Sequence, residues 1–261
     1  MANLKKKENV AETYEDTLTE KFPCGYLDDE GVEHTDFEYR EMDGADEEAI
    51  SKNTIKQNPA KVINVLLDRC IVRIGTILKS EVKASKWTEI IKSLTTADQD
   101  FAVMKIREQS VGSTITVKHV CNSCKKELTT EIDIDEFEIV PFGGDRLIKF
   151  ELKKGYKDKD GEVHKEGTVR FPNGTDREIL APVANNNIAL ANTLMLSRIV
   201  TELGTVKNVT DAMVRSLTTG DREIILKAIQ DNMFGYKFEI EVDCPNCGNS
   251  FTGHLSSINF I

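Results

Sequence analysis

The sequence has no apolar run approaching the roughly 18 residues of a membrane span, and Met1 to Glu20 lack the apolar stretch of a secretory signal. These absences lead us to expect a chain that folds in a cytoplasm and has no membrane partner. Positive charge is also short: 34 Lys and Arg stand against 44 Asp and Glu, a formal charge of −10. A field of that sign repels phosphate backbones and anionic lipid, which disfavours nucleic acid as the main partner. The notable basic cluster, Lys5-Lys6-Lys7, is outnumbered in the same tail by Glu8, Glu12, Glu15, Asp16 and Glu20, and reads as a solvated end. Histidine is scarce, with 4 in the chain, and no Gly-rich phosphate loop or nucleophile elbow follows a strand pattern. No constellation suited to catalysis stands out, so no enzymatic activity is expected.

What is present is a repeat. Gly25, Tyr26, Asp28, Gly31, His34, Arg40, Gly44, Asp46 and Glu48 recur in the same order and spacing as Gly155, Tyr156, Asp158, Gly161, His164, Arg170, Gly174, Asp176 and Glu178. Asn58 to Gly75 matches Asn187 to Gly204, and Ser93 to Cys124 matches Ser216 to Cys247. Changes of offset fall between these blocks, where loops lose residues at small cost. The expected organisation is an N-terminal tail over 1–19, a first copy over 20–140 and a second over 148–261. The segment Pro141-Phe142-Gly143-Gly144 is the expected junction.

Each copy opens with a turn, Asp28-Asp29-Glu30-Gly31 or Asp158-Lys159-Asp160-Gly161, between stretches able to pair as strands. Asp-x-Asp-Gly faintly suggests a calcium loop, but the remaining ligands and the closing Glu of that motif are missing, which favours the turn. Asn58 and Pro59 then predict a helix start, and Val62, Leu66, Cys70, Ile74 and Leu78 recur every four residues as its buried stripe. The duplicate stripe is Ala191, Met195, Ile199 and Leu203. Cys70 aligns with Ile199 and reads as a small core hydrophobe, and Cys24, aligned with Lys154, as an ordinary free thiol.

Thr95 before Asp98 and Thr218 before Asp221 have the spacing at which both side chains satisfy free N–H groups of a helix's first turn. Gly112 and Gly235 are the expected caps at the other end. Period-two alternation follows at Ile115, Val117 and His119, and again at Phe238, Ile240 and Val242, predicting half-buried strands that return in a hairpin. The expected fold is therefore α+β: a tandem, pseudo-two-fold unit of an N-terminal β-hairpin, two short helices and a C-terminal β-hairpin.

At each C-terminal hairpin tip stands a Cys-x-x-Cys: Cys121 with Cys124, and Cys244 with Cys247. Two thiolates so spaced can face one ion, and N–H groups of the turn can offset their charge. Pro245 and Gly248 favour the tight turn in the second; the first has Asn122 and Lys125 instead. Structural zinc takes four ligands, so matching pairs in two copies point to one Zn2+ bound by Cys121, Cys124, Cys244 and Cys247. Separate sites completed by His119 and His254 fit less well, because these histidines are not equivalent in the repeat; a zinc shared between chains is a further arrangement. A disulfide or a reactive dithiol are the other chemistries, and the latter needs a helix N-terminus, whereas these pairs lie between strands.

The run Ser216-Leu217-Thr218-Thr219-Gly220-Asp221-Arg222-Glu223, a helix closing on Phe234-Gly235, and Cys244-Pro245-Asn246-Cys247-Gly248 resemble the baseplate-hub assembly and related tail-assembly proteins of contractile-tailed bacteriophages. Thr175-Asp176-Arg177-Glu178 before the first helix and Leu196-Ser197-Arg198-Ile199-Val200 within it fit the same pattern. The resemblance implies a non-enzymatic baseplate protein that binds other tail proteins, in the host cytoplasm during assembly or in the tail of the particle. Two other classes compete. A zinc-ribbon nucleic-acid adaptor requires Lys and Arg around the knuckles, where Lys118, Lys125 and Lys126 flank the first but Glu239, Glu241 and Asp243 precede the second. A thiol oxidoreductase requires a reactive low-pKa cysteine.

Overall fold

The computed structural model describes residues 16–255 and Ser257. Most of the tail, with its lysine triplet, lies outside the described residues. The first half runs β1 (Leu18–Leu27), β2 (Glu33–Tyr39), α1 (Gly44–Ile50), α2 (Asn53–Lys56), α3 (Pro59–Cys70), β3 (Ile71–Ile74), β4 (Ile77–Leu78), α4 (Ala84–Ser93), α5 (Thr96–Val111), β5 (Thr114–Val120), β6 (Glu127–Asp133) and β7 (Ile139–Val140). The second runs β8 (Leu147–Lys157), β9 (Val163–Arg170), α6 (Gly174–Ala184), α7 (Ile188–Ile199), β10 (Val200–Leu203), α8 (Asp211–Ser216), α9 (Thr219–Asp231), β11 (Gly235–Tyr236), β12 (Glu239–Asp243) and β13 (Ser250–His254). The expected hairpin, helices, hairpin order is present, but each half carries more than two helices. Thr175 to Glu178 belong to one of these additional helices, α6.

In the first half β1, β2, β3 and β4 form an antiparallel sheet, and in the second β10, β9 and β8 do the same. The two opening hairpins share an irregularity: register shifts between Lys21 and Tyr26 in β1, and between Glu151 and Tyr156 in β8. Such a bulge strands backbone N–H groups, which cost about 1–3 kcal/mol each if buried unpaired. A carboxylate meets them in each case. Asp98 accepts from Cys24 N–H at 2.8 Å and Gly25 N–H at 3.2 Å. Asp221 accepts from the N–H groups of Lys153, Lys154 and Gly155 at 2.8, 3.2 and 3.1 Å.

This corrects the expected capping box. Thr95 and Thr218 do cap α5 and α9, accepting from Asp98 N–H at 3.1 Å and Asp221 N–H at 3.2 Å. The two carboxylates accept from hairpin N–H groups and so tie each helix start to its hairpin, Asp98 also accepting from the Thr95 hydroxyl at 2.6 Å. Gly112 ends α5 with φ +90°, as expected, whereas α9 ends at Asp231 and Gly235 lies beyond it in β11.

The helix from Asn58 also ends earlier than its stripe suggests. Asn58 caps α3 through Ala60 N–H, but α3 stops at Cys70 and the β-branched run Ile71-Val72-Arg73-Ile74 pairs with β2 as a strand. Ile74 is buried in the sheet instead of on the helix, and Leu203 occupies the matching strand β10. An ion triad around a buried aspartate holds each helix end to its hairpin: Asp46 meets Arg40 and the partly exposed Arg69 at 2.5 Å each, and Asp176 meets the partly exposed Arg170 at 2.6 Å and Arg198 at 2.8 Å. Across each opening turn His34 pairs with Asp28 at 3.0 Å and His164 with Asp158 at 3.1 Å.

Two main cores form, one around Phe37, Leu67, Ile71 and Trp87, the other around Leu152, Val169, Leu196 and Ile199, with Cys24 of the first half in the second core and Tyr236 of the second half packed on the first. Several contacts join the halves. β7 pairs with β11, Gly235 opposite Val140. Phe137 and Ile134 pack with Tyr236 and Phe238 in a third cluster. The start of α6 docks against α3, α4 and α5, where Arg177 meets Asp100 at 2.7 Å and Glu178 meets Lys92 at 2.7 Å. That docking runs one way. Among the described residues no hydrogen bond or ion pair joins 42–48 of the first half to 215–223 of the second, so the expected two-fold relation does not extend to this helical contact.

Candidate metal centre

The strands β5 and β12 each deliver a cysteine at their end, after which the chain folds back on itself. In the first tip Lys125 N–H donates to Cys121 O at 3.0 Å and Cys121 N–H to Lys126 O at 3.0 Å. In the second Gly248 N–H donates to Cys244 O at 2.8 Å and Cys244 N–H to Asn249 O at 3.0 Å. The fold-back needs a left-handed residue after the second cysteine. Gly248 supplies it at φ +70°, and Lys125 adopts φ +61° in the same place. A side chain in that conformation is strained by about 1–2 kcal/mol. The matching Gly248 is the sequence signal that foretells this backbone at Lys125.

The tips meet. All four Sγ atoms lie within 4.8 Å of one another, with Cys121 to Cys247 and Cys124 to Cys244 each at 3.7 Å. Exchanging 121 for 244 and 124 for 247 turns one contact into the other. A sulfur tetrahedron around zinc at about 2.3 Å has edges of about 3.8 Å, whereas a disulfide requires about 2.05 Å. The donor set thus fits a tetrathiolate metal ion. Leu128, Val242, Ile240 and Phe251 pack beneath the sulfurs, and Asn249 Nδ2 donates to Asn122 Oδ1 at 2.8 Å from tip to tip.

Electrostatics at the tips suit a cation. N–H groups of Cys124 and Ser123 outweigh burial and lower the Cys121 thiol to about 6. Burial raises Cys244, but the N–H groups of Asn246 and Cys247 bring it below its ordinary value. Cys247 behaves oppositely: the Asn249 N–H lowers it, yet burial and the other three sulfurs push it up to about 11. A cluster that ionises readily at one sulfur and resists ionising at the last is one whose accumulated charge a divalent ion would neutralise.

The histidines flanking the tips lie outside this cluster. His119 packs edge-on to Phe251 with ring centroids 6.4 Å apart, and His254 is exposed beside Glu239 at 3.5 Å. A second group of donors, Asp158, Glu162 and His164, lies at the opening turn of the second half. There Asp158 accepts from Asp160 and Glu162 N–H at 2.9 Å each, as Asp28 accepts from Glu30 and Val32 N–H at 2.9 and 2.8 Å. Val32 stands where Glu162 does, so the shared feature is the turn. Cys24 and Cys70 are buried in the cores, and burial pushes each thiol up to about 12, that of inert structural cysteines.

The model of the family described as T4 bacteriophage base plate protein matches residues 31–259. No curated protein and no solved structure matches the chain.

Proposed function

The chain belongs to the T4 bacteriophage base plate protein family, and we propose that it acts in the tail baseplate as a non-enzymatic scaffold, stapled by one structural zinc and binding other tail proteins. The convergence of four sulfurs from tips more than a hundred residues apart carries this reading. Cys121, Cys124, Cys244 and Cys247 would hold Zn2+, which would clamp the C-terminal hairpins of the two halves together. Four thiolates leave no open coordination position for chemistry, so the ion is structural. The halves are read as a tandem duplication over roughly 20–140 and 148–261. Paired features support it: the bulge and its aspartate, the ion triad, the histidine turn and the cysteine tip occur in both at matching positions.

A scaffold of this kind assembles in the host cytoplasm and functions in the tail. The test is genetic rescue of a phage lacking this gene. The intact chain should restore complete baseplates by electron microscopy, and the Cys121→Ser and Cys244→Ser chains should not. Normal tails from a phage without the gene, or full rescue by both serine variants, would overturn the reading.

A further inference from the structure

The one-way contact between the halves is a knob in a socket. The knob is the start of α6. Gly174 N–H donates to Leu94 O at 3.2 Å, and Pro172 O accepts from Thr96 N–H at 2.9 Å. Asn64 Nδ2 reaches Gly174 O at 3.3 Å and Glu178 Oε2 at 2.9 Å. The fit is closest at Gly174 itself, where an added Cβ would stand 2.1 Å from Gln99 Nε2. A second point of contact lies at Gly235, where a Cβ would stand 3.1 Å from that of Ala97. The socket is therefore Asn64, Lys92 and the segment 94–100 of the first half.

Each half also carries a counterpart that the described residues leave uncovered. The matching knob on the first half is the start of α1, with Gly44, Glu47 and Glu48, together with Gly112. The matching socket on the second half is Arg215 and the segment 217–223, with Thr193 buried beneath Arg222, which donates to its hydroxyl at 2.9 Å. Gly44, Gly112 and Gly220 meet nothing within 4 Å of an added Cβ. Glu47, Glu48, Arg215, Thr219, Gly220 and Glu223 are exposed. Gly44 has neither a positive φ nor a crowded neighbour to explain it, and it stands at the place where the filled join admits only glycine.

We propose that the free knob of one chain seats in the free socket of a second copy, repeating between molecules the join built within each. This rests on reading the halves as equivalent. Such an interface is heterologous, so it extends to a ring or an open row whose size the angle of the join sets. Charge sets its strength. Glu48 and Arg215 replace Glu178 and Lys92 and keep that pair attractive. Glu47 and Glu223 replace Arg177 and Asp100 and repel, which makes the intermolecular join weaker than the covalently linked one.

Sedimentation velocity on the zinc-loaded full chain, from low micromolar to near-millimolar concentration, tests this. The average mass should rise to that of two chains or more. Gly44→Trp blocks the knob and Gly220→Trp the socket, so each variant alone should stay monomeric while their mixture forms a one-to-one pair and nothing larger. Glu223→Lys turns the repulsion into attraction and should tighten association roughly threefold to tenfold at low salt. A wild-type chain and Glu223→Lys variant that both remain monomeric would overturn the proposal. So would association indifferent to both tryptophans, or association that emerges only when residues 1–15 are removed, which would assign the socket to the chain's own tail. Zinc content and tail rescue are read separately, so failure here leaves the scaffold reading standing.

Discussion

The Asp98 carboxylate accepts the Cys24 N–H at 2.8 Å across 74 positions of sequence, tying the first turn of α5 to the bulge of β1. Asp221 makes the same tie between α9 and β8, with Lys153 N–H at 2.8 Å. Through these two aspartates each helix that leads to a cysteine tip is fixed to the sheet at the other end of its half.

Asp98→Ala removes the acceptor of two buried N–H groups and of the Thr95 hydroxyl, bonded at 2.6 Å. The expected loss is about 2–4 kcal/mol, read as a lower urea midpoint, and Asp221→Ala should behave alike. Thr95→Ala, which removes the cap and leaves the tie, should cost only about 1 kcal/mol.

Stability should fall in acid through the two ion triads. Burial alone would raise Asp46, but Arg40, the Asp43 N–H and Arg69 hold it well below the usual carboxylate range. Asp176 is lowered against burial by Arg170, the Asn173 N–H and Arg198. A carboxylate depressed in the folded state contributes stability that is present above its unfolded pKa and lost as pH falls toward its folded pKa. The loss should therefore begin as pH drops below about 4. The Asp46→Asn, Asp176→Asn double variant should be several kcal/mol less stable, roughly 3 or more, at neutral pH. The gap to wild type should narrow as both are taken to about pH 2. Denaturant melts across that range check the sign.

Lys125→Gly should stabilise the first tip, because Lys125 sits at φ +61° where Gly248 serves in the second. The expected gain is about 1 kcal/mol, seen as slower loss of metal to a chelator. The reverse change, Gly248→Lys, should lose a similar amount.

The parts of this fold that were legible in the sequence are those specified within a few residues. Asn58-Pro59 announces α3, Thr95 and Thr218 announce α5 and α9, and alternation at Ile115 and Val117 announces β5. The end of α3 was not legible, because Ile74 and Leu78 happen to continue a spacing of four while belonging to strands. Nor was the role of Asp98 and Asp221: the local pattern suggested capping, and the backbone N–H groups they accept from lie 66 to 74 positions away. The cysteine pairs could be read as donors from spacing alone, and their meeting as one cluster from the repeat. The one-way docking of α6 could not, since a duplicated sequence is equally compatible with two-fold and head-to-tail contacts.

The central claim is that the two halves share one ion. Elemental analysis of the purified chain, with Cys121→Ser and Cys244→Ser beside it, tests it most directly. The account predicts one zinc per wild-type chain and loss of that zinc in both variants, since either removes a ligand from the same site. Two zinc ions per chain, or one variant retaining a full equivalent while the other loses it, would contradict it.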